Sequence, residues 1–146
     1  MTSAPEQSLK IPDGVTQMRP YGGFHESNGP FWMAKRGENS VVGFRVEESH
    51  GNAVGGLHSV MLATLVDTVL TLAAAKAAPK GQFAVTSSLT CDFLAPGKFG
   101  DWIEAEAEVL RVGRSLIHLD CRVRRDGPDG DLLMRASAGF HIVTPR

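Results

Sequence analysis

The sequence predicts an α+β fold. About six antiparallel strands, in the order ββ-α-ββββ, wrap around one long central helix near residues 57–77. Three observations predict it. Leu57 to Ala75 is a run of 19 residues, 13 of them apolar, followed by Pro79-Lys80-Gly81. Period-two alternation then runs through four segments with no further helical pattern between them. Turn residues separate those segments at Pro96-Gly97, Gly113 and Asp126-Gly127-Pro128-Asp129-Gly130. Alternation of this kind belongs to an antiparallel sheet with one wet face. A helix this apolar needs a covering layer, and a curved sheet around it is the economical arrangement.

Taken in order, Gly14 to Pro30 is rich in Gly and Pro, has no clear period, and reads as a loop with room for a short helix. Phe31 to Arg36 and Ser40 to Glu47 read as strands joined by a hairpin turn at Gly37-Glu38-Asn39. Val42, Phe44 and Val46 share one face of the second. Ser49 to Gly56 is loop-like and leads into the helix. Ala84 to Leu94 alternates Val85, Ser87, Leu89, Cys91 and Phe93 against Thr86, Ser88, Thr90 and Asp92. Trp102 to Leu110 sets Glu104, Glu106 and Glu108, expected to be solvated, against Ile103, Ala105, Ala107 and Val109. Ser115 to Arg124 turns Ile117, Leu119, Cys121 and Val123 inward, and Leu132 to Val143 closes the sheet.

The 146 residues fit one domain, 1–146, with 1–22 as a loosely ordered N-terminal segment. Charge is balanced, 15 Lys+Arg against 16 Asp+Glu, which argues against nucleic acid or an anionic membrane as a charge-driven partner. With 42% hydrophobic and 21% charged residues, the chain is not a disordered one. MTSAPEQSLK has no basic stretch followed by an apolar one, so it does not read as a signal peptide. The 57–75 run approaches the length of a membrane span, but it carries His58, Ser59, three threonines and Asp67, and so reads as a core helix. Cys91 and Cys121 offer neither a CxxC motif nor a disulfide framework, which fits a reduced, cytoplasmic setting. No metal is expected, because His25, His50, His58, His118 and His141 form no ligand motif.

Chemistry concentrates between His50 and Asp67, HGNAVGGLHSVMLATLVD. A carboxylate among Leu65, Val66, Val69 and Leu70 is costly unless paired or functional, although a hydrogen-bonded structural Asp67 fits as well. The first N–H groups of a helix lack intrahelical partners and carry positive partial charge, so they can stabilise an oxyanion. Gly55 and Gly56 allow backbone to approach a ligand closely, or simply serve a turn. His58 reads as a site residue or as a helix cap. His58 and Asp67 are nine positions apart, about 13.5 Å along a helix and on opposite faces. Two copies paired about a two-fold axis would bring His58 of one near Asp67 of the other.

The order N-x-x-G-x-x-H, then an apolar helix with Asp fifteen positions after the Asn, is here Asn52, Gly55, His58 and Asp67. It resembles the hotdog-fold thioesterases of the PaaI-like, phenylacetate-degradation type. FHESNGP, AVTSSLTCDFLAP and VLRVGRS look like further segments of that family, and the likeness runs from about Gly23 to Val143. The resemblance implies a hotdog fold and hydrolysis of an acyl-CoA thioester to free acid and coenzyme A. It implies no cofactor beyond the coenzyme A of the substrate, and a homodimer with interface active sites or a tetramer. Asp67 then matches the catalytic carboxylate, as general base on water or as nucleophile. Asn52 matches the residue beside the thioester carbonyl, His58 the site histidine, and Thr86 the hydroxyl that orients water. The family usually reads H-G-G where this chain has His58-Ser59-Val60, so the oxyanion donor falls on the Ser59 backbone N–H. Arg111 and Arg114, in the glycine hairpin, are candidates for the coenzyme A phosphates, and Gly55 and Gly56 for close approach of backbone to the ligand.

Two other readings compete. A non-catalytic acyl or acyl-CoA binding protein draws support from Ser59-Val60. A hydratase or dehydratase of acyl-CoA or acyl-carrier-protein substrates would pair Asp or Glu with His in other motifs. G-x-S-x-G, Walker A, G-x-G-x-x-G and H-E-x-x-H are all missing. Phe24, Phe31, Trp32, Met33 and Met61 fit an aryl pocket, an aliphatic pocket or plain core.

Overall fold

A computed structural model describes residues 10–146. Seven strands form one sheet: β1 (Thr16–Gln17), β2 (Trp32–Arg36), β3 (Asn39–Arg45), β4 (Phe83–Phe93), β5 (Trp102–Val112), β6 (Leu116–Arg125) and β7 (Leu132–Val143). Two α-helices, α1 (Gly23–Asn28) and α2 (Ser59–Ala77), accompany a 3-10 turn at Glu48–His50. Every strand pair is antiparallel, in the order β1-β2-β3-β5-β6-β7-β4. The expected α+β class and central helix are present, and six of the strands match expected ones. The seventh, Thr16–Gln17, is too short for alternation to reveal; it pairs with β2, and Met18 beyond it is buried. Residues 1–9 of the expected N-terminal segment lie outside the described residues.

The expected turn tightens by one residue. Arg36 pairs with Asn39, so Gly37-Glu38 is a two-residue loop, with Gly37 at φ +60° in the left-handed region that glycine adopts without strain. One face of the sheet, carrying Val42, Phe44, Ile103, Ala105, Leu119 and Phe140, packs on Leu65, Val66, Val69 and Leu70 of α2. By length and composition α2 could also cross a membrane, but those four side chains are buried in this core. The side of α2 turned from the sheet carries Val60, Thr64, Asp67 and Thr71, none of them buried.

Two expectations about faces change. Strand β4 carries a register shift between Thr86 and Ser88. A bulge makes two residues oppose one, so the side-chain alternation reverses across it. Thr86 therefore faces the helix beside Phe140, while Leu89 and Cys91 also face inward; Val85, expected with them, is exposed. The second change concerns the glutamates of β5. Glu108 is exposed, but Glu104 is only 8% exposed. It accepts from Arg36 Nη2 at 2.9 Å and from Trp102 Nε1 at 2.9 Å, which meets the charge that burial would otherwise leave unpaired. The indole fits there because position 43 is glycine; a Cβ would stand 2.5 Å from the Trp102 ring. Burial alone would raise the Glu106 carboxyl, but hydrogen bonds from Asn39 and Arg36 outweigh it and hold its pKa below the ordinary value.

Leu65 is fully buried in the helix–sheet core. Leu65→Ala is expected to lower stability by about 2–5 kcal/mol, read as a lower urea midpoint at unchanged slope. An unmoved midpoint would contradict the packing described.

Candidate active site

Asp67 lies midway along α2 on the side turned from the sheet, partly exposed. Thr86 Oγ1 donates to its Oδ1 at 3.1 Å, so the β4 bulge delivers the hydroxyl to the carboxylate. Asp67 also borders a cavity of about 280 Å³ with Phe24, His25, Val60 and Ala63. Of the residues singled out in the sequence, Asp67 and Thr86 are thus in direct contact.

A second set gathers at the N-terminus of α2. Here a cavity of about 440 Å³ is lined by Asn52, His58 and Ser59, with Phe93 at the end of β4 and Leu94 and Pro96 just beyond it. His58 is the N-cap, and its Nδ1 accepts from the Val60 N–H at 3.1 Å, which assigns the ring proton to Nε2. The Met61 N–H is taken by the His58 carbonyl. The Ser59 N–H has no hydrogen-bond partner among the described residues, and Ser59 is exposed. An outward-facing donor at a helix N-terminus is the right kind of group for a developing oxyanion.

The Asn52 side chain organises the loop that delivers this end. Its Oδ1 accepts from the Val54 and Gly56 N–H groups at 3.0 and 2.9 Å, and its Nδ2 donates to the Leu57 carbonyl at 3.3 Å. One Nδ2 hydrogen remains for a ligand. Gly55, at φ +85°, supplies the left-handed residue of that turn, while a Cβ on Gly56 would meet only ordinary contacts. Arg111 and Arg114 sit on the exposed β5–β6 hairpin and line neither cavity. The two sets are separate on one chain: Asn52, His58 and Ser59 share one cavity, Asp67 the other.

One residue next to Asp67 escaped the sequence reading. His25, on α1, has its Nε2 3.2 Å from Thr68 Oγ1. The Thr68 hydroxyl gives its proton to the Thr64 carbonyl at 2.7 Å, so it accepts from His25 Nε2–H. The Tyr21 N–H points at His25 Nδ1 at 3.4 Å, which completes a neutral ring. Burial pushes the His25 pKa below its ordinary 6.5, against the opposing pull of the Asp67 carboxylate. Only the unclaimed histidine in FHESNGP signals it, since the contact spans 43 positions. The cysteines are no rivals as nucleophiles, because burial raises the pKa of both the Cys91 and Cys121 thiols.

A lowered histidine pKa means that the released segment binds more protons than the docked one. The docking of α1 is therefore full above about pH 6.5 and weakens as pH falls. Amide protection across 21–29, taken relative to the intrinsic exchange rate at each pH, is expected to fall from about pH 7.5 to about pH 5.5, and to do so less in His25→Gln. Equal protection at both pH values would contradict the neutral docking of His25.

Comparison with known proteins places this geometry in a family. The thioesterase superfamily model matches residues 54–130, more than half of the chain, and includes His58, Asp67 and Thr86. Human acyl-coenzyme A thioesterase 13 is 30% identical over 117 residues, 80% of this chain and 81% of that protein. The structure of the PaaI protein from the E. coli phenylacetic acid degradation operon superposes with a TM-score of 0.69 at 24% identity, covering 77% of this chain and 79% of that one. A hypothetical thioesterase protein of Streptococcus pneumoniae, solved with coenzyme A, superposes with a TM-score of 0.70 at 21% identity, covering 90% and 98%. At those identities the two structures speak for the fold. The resemblance carried by Asn52, Gly55, His58 and Asp67 holds, and the chain belongs to the thioesterase superfamily as a hotdog-fold thioester hydrolase.

Proposed function

We propose that the protein is a cytoplasmic acyl-CoA thioesterase that works as a homodimer with two composite sites. The observation that carries the reading is the Thr86–Asp67 hydrogen bond beside an open cavity on α2. In the proposed mechanism Thr86 and Asp67 hold a water, and Asp67 takes its proton. The hydroxide adds to the thioester carbonyl carbon. The resulting oxyanion lies against the Ser59 N–H, assisted by the spare Asn52 Nδ2 hydrogen. Collapse breaks the C–S bond; the coenzyme A sulfur takes up the proton that Asp67 holds, which restores the carboxylate, and the product acid gives its own proton to water and leaves as carboxylate. A thioester carbonyl is already activated, so one base and one oxyanion site suffice.

The dimer supplies what one chain separates. Among the described residues β4 is an edge strand of 11 residues with no strand paired on its outer side, and Phe83 and Phe93 are half-exposed at its ends. Long open edges of this kind pair with another strand unless something blocks them. Antiparallel pairing of β4 with a second copy lays the Thr86 half of one strand against the Phe93 end of the other. That pairing supports a site built from Asp67 and Thr86 of one protomer and Asn52, His58 and Ser59 of its partner. Arg111 and Arg114 are proposed to meet the coenzyme A phosphates; both are exposed and make no ion pair among the described residues.

Thiol release across short, long and aromatic acyl-CoAs tests the reading. Asp67→Asn, isosteric and still able to bond Thr86, is expected to lower kcat about 10²–10⁴-fold with the circular dichroism spectrum and Tm retained. Wild-type turnover by Asp67→Asn would overturn the mechanism.

A further inference from the structure

Helix α1 has six residues, too few to be stable alone, yet it is held at both ends. His25 Nε2–H donates to Thr68 Oγ1 on α2 at 3.2 Å, and the buried His50 donates from Nε2 to the Asn28 carbonyl at 2.7 Å. The His25 ring also packs at a tilt against both Tyr21 and Phe31, with centroids 5.1 and 5.2 Å away. Gly29, behind the helix, leaves no room for a Cβ, which would stand 2.9 Å from the His25 carbonyl. This anchoring holds the helix that carries Phe24, a residue 65% exposed.

Val60, 61% exposed, lines the same cavity as Phe24. Two exposed apolar side chains thus line a cavity that Asp67 also borders. Water there is a poor neighbour for both, and an apolar acyl chain is a good one. The cavity opens at the carboxylate proposed to activate water, so the acyl group bonded to the attacked carbonyl is its natural occupant.

We infer that Phe24 is a specificity-determining residue for the acyl group and that His25 is the positioning residue that holds it there. The inference rests on the thioesterase reading above. The acyl group it favours is apolar and large enough to reach the cavity wall formed by Phe24 and Val60, in preference to acetyl. Apolar pockets discriminate by about 10–200-fold per methylene group, so the preference is measurable.

The test is thiol release from acetyl-, hexanoyl- and phenylacetyl-CoA by the full-length chain and its variants. Wild type is expected to favour the two larger substrates. Phe24→Ala is expected to lower the ratio of their kcat/KM to that of acetyl-CoA about tenfold, the loss of one well-filled apolar contact. His25→Ala is expected to lower it similarly. His25→Gln, which keeps a donor for Thr68, is expected to restore much of it, which a general loss of folding would not allow. An unmoved ratio in Phe24→Ala, or an equal loss on all three substrates, overturns the inference and leaves the thioesterase reading intact. Absence of hydrolysis by wild type on the whole panel overturns both.

Discussion

The structure turns on one carboxylate set in an apolar helix. Asp67 has Val66, Val69 and Leu70 buried around it on α2, and a charge in that setting must be met or left to water. The chain does some of each. The helix turns Asp67 away from the sheet, and the β4 bulge brings the Thr86 hydroxyl to its Oδ1. A straight β4 would keep strict alternation and turn Thr86 away from the inward side that Leu89 and Cys91 occupy. The bulge is therefore part of the site.

The same helix separates its own chemistry. Its N-terminus presents the Ser59 N–H, and its middle presents Asp67, about 12 Å further along at helical rise. No bend of a single helix closes that gap. In the proposed dimer the open β4 edge does so by symmetry, because a two-fold axis reverses the order of the two half-sites along the joined strands. The exposed apolar residues at the ends of β4 and the uncovered side of α2 then have a common explanation.

Much of this is legible in the sequence, because the governing patterns are local. The run from Leu57 and its Pro-Gly stop mark α2 to within two residues at its start, and alternation assigns the inner faces of β3, β5, β6 and β7. His58 caps the start of α2, Asp67 lies in its middle and Thr86 on β4, in the order the motif runs along the chain. What escapes is non-local. A bulge at Thr86 leaves no mark in the alternation, since serines and threonines fit either face. Glu104 looks solvated until Arg36, 68 positions away, comes to meet it beside Trp102 on the same face of β5. His25 sits in a stretch with no period, and its partner Thr68 lies on another element.

The central claim is that each active site takes residues from two chains. The direct measurement is subunit complementation between Asp67→Asn and Asn52→Asp. The second variant keeps the loop-holding oxygen of position 52 but loses the Nδ2 donor. Each variant alone is expected to be nearly inactive. After unfolding and refolding together, random pairing gives mixed dimers with one intact site, and so about a quarter of wild-type activity. A mixture as inactive as its parents, in a sample shown by native mass spectrometry to contain mixed dimers, would contradict the shared site.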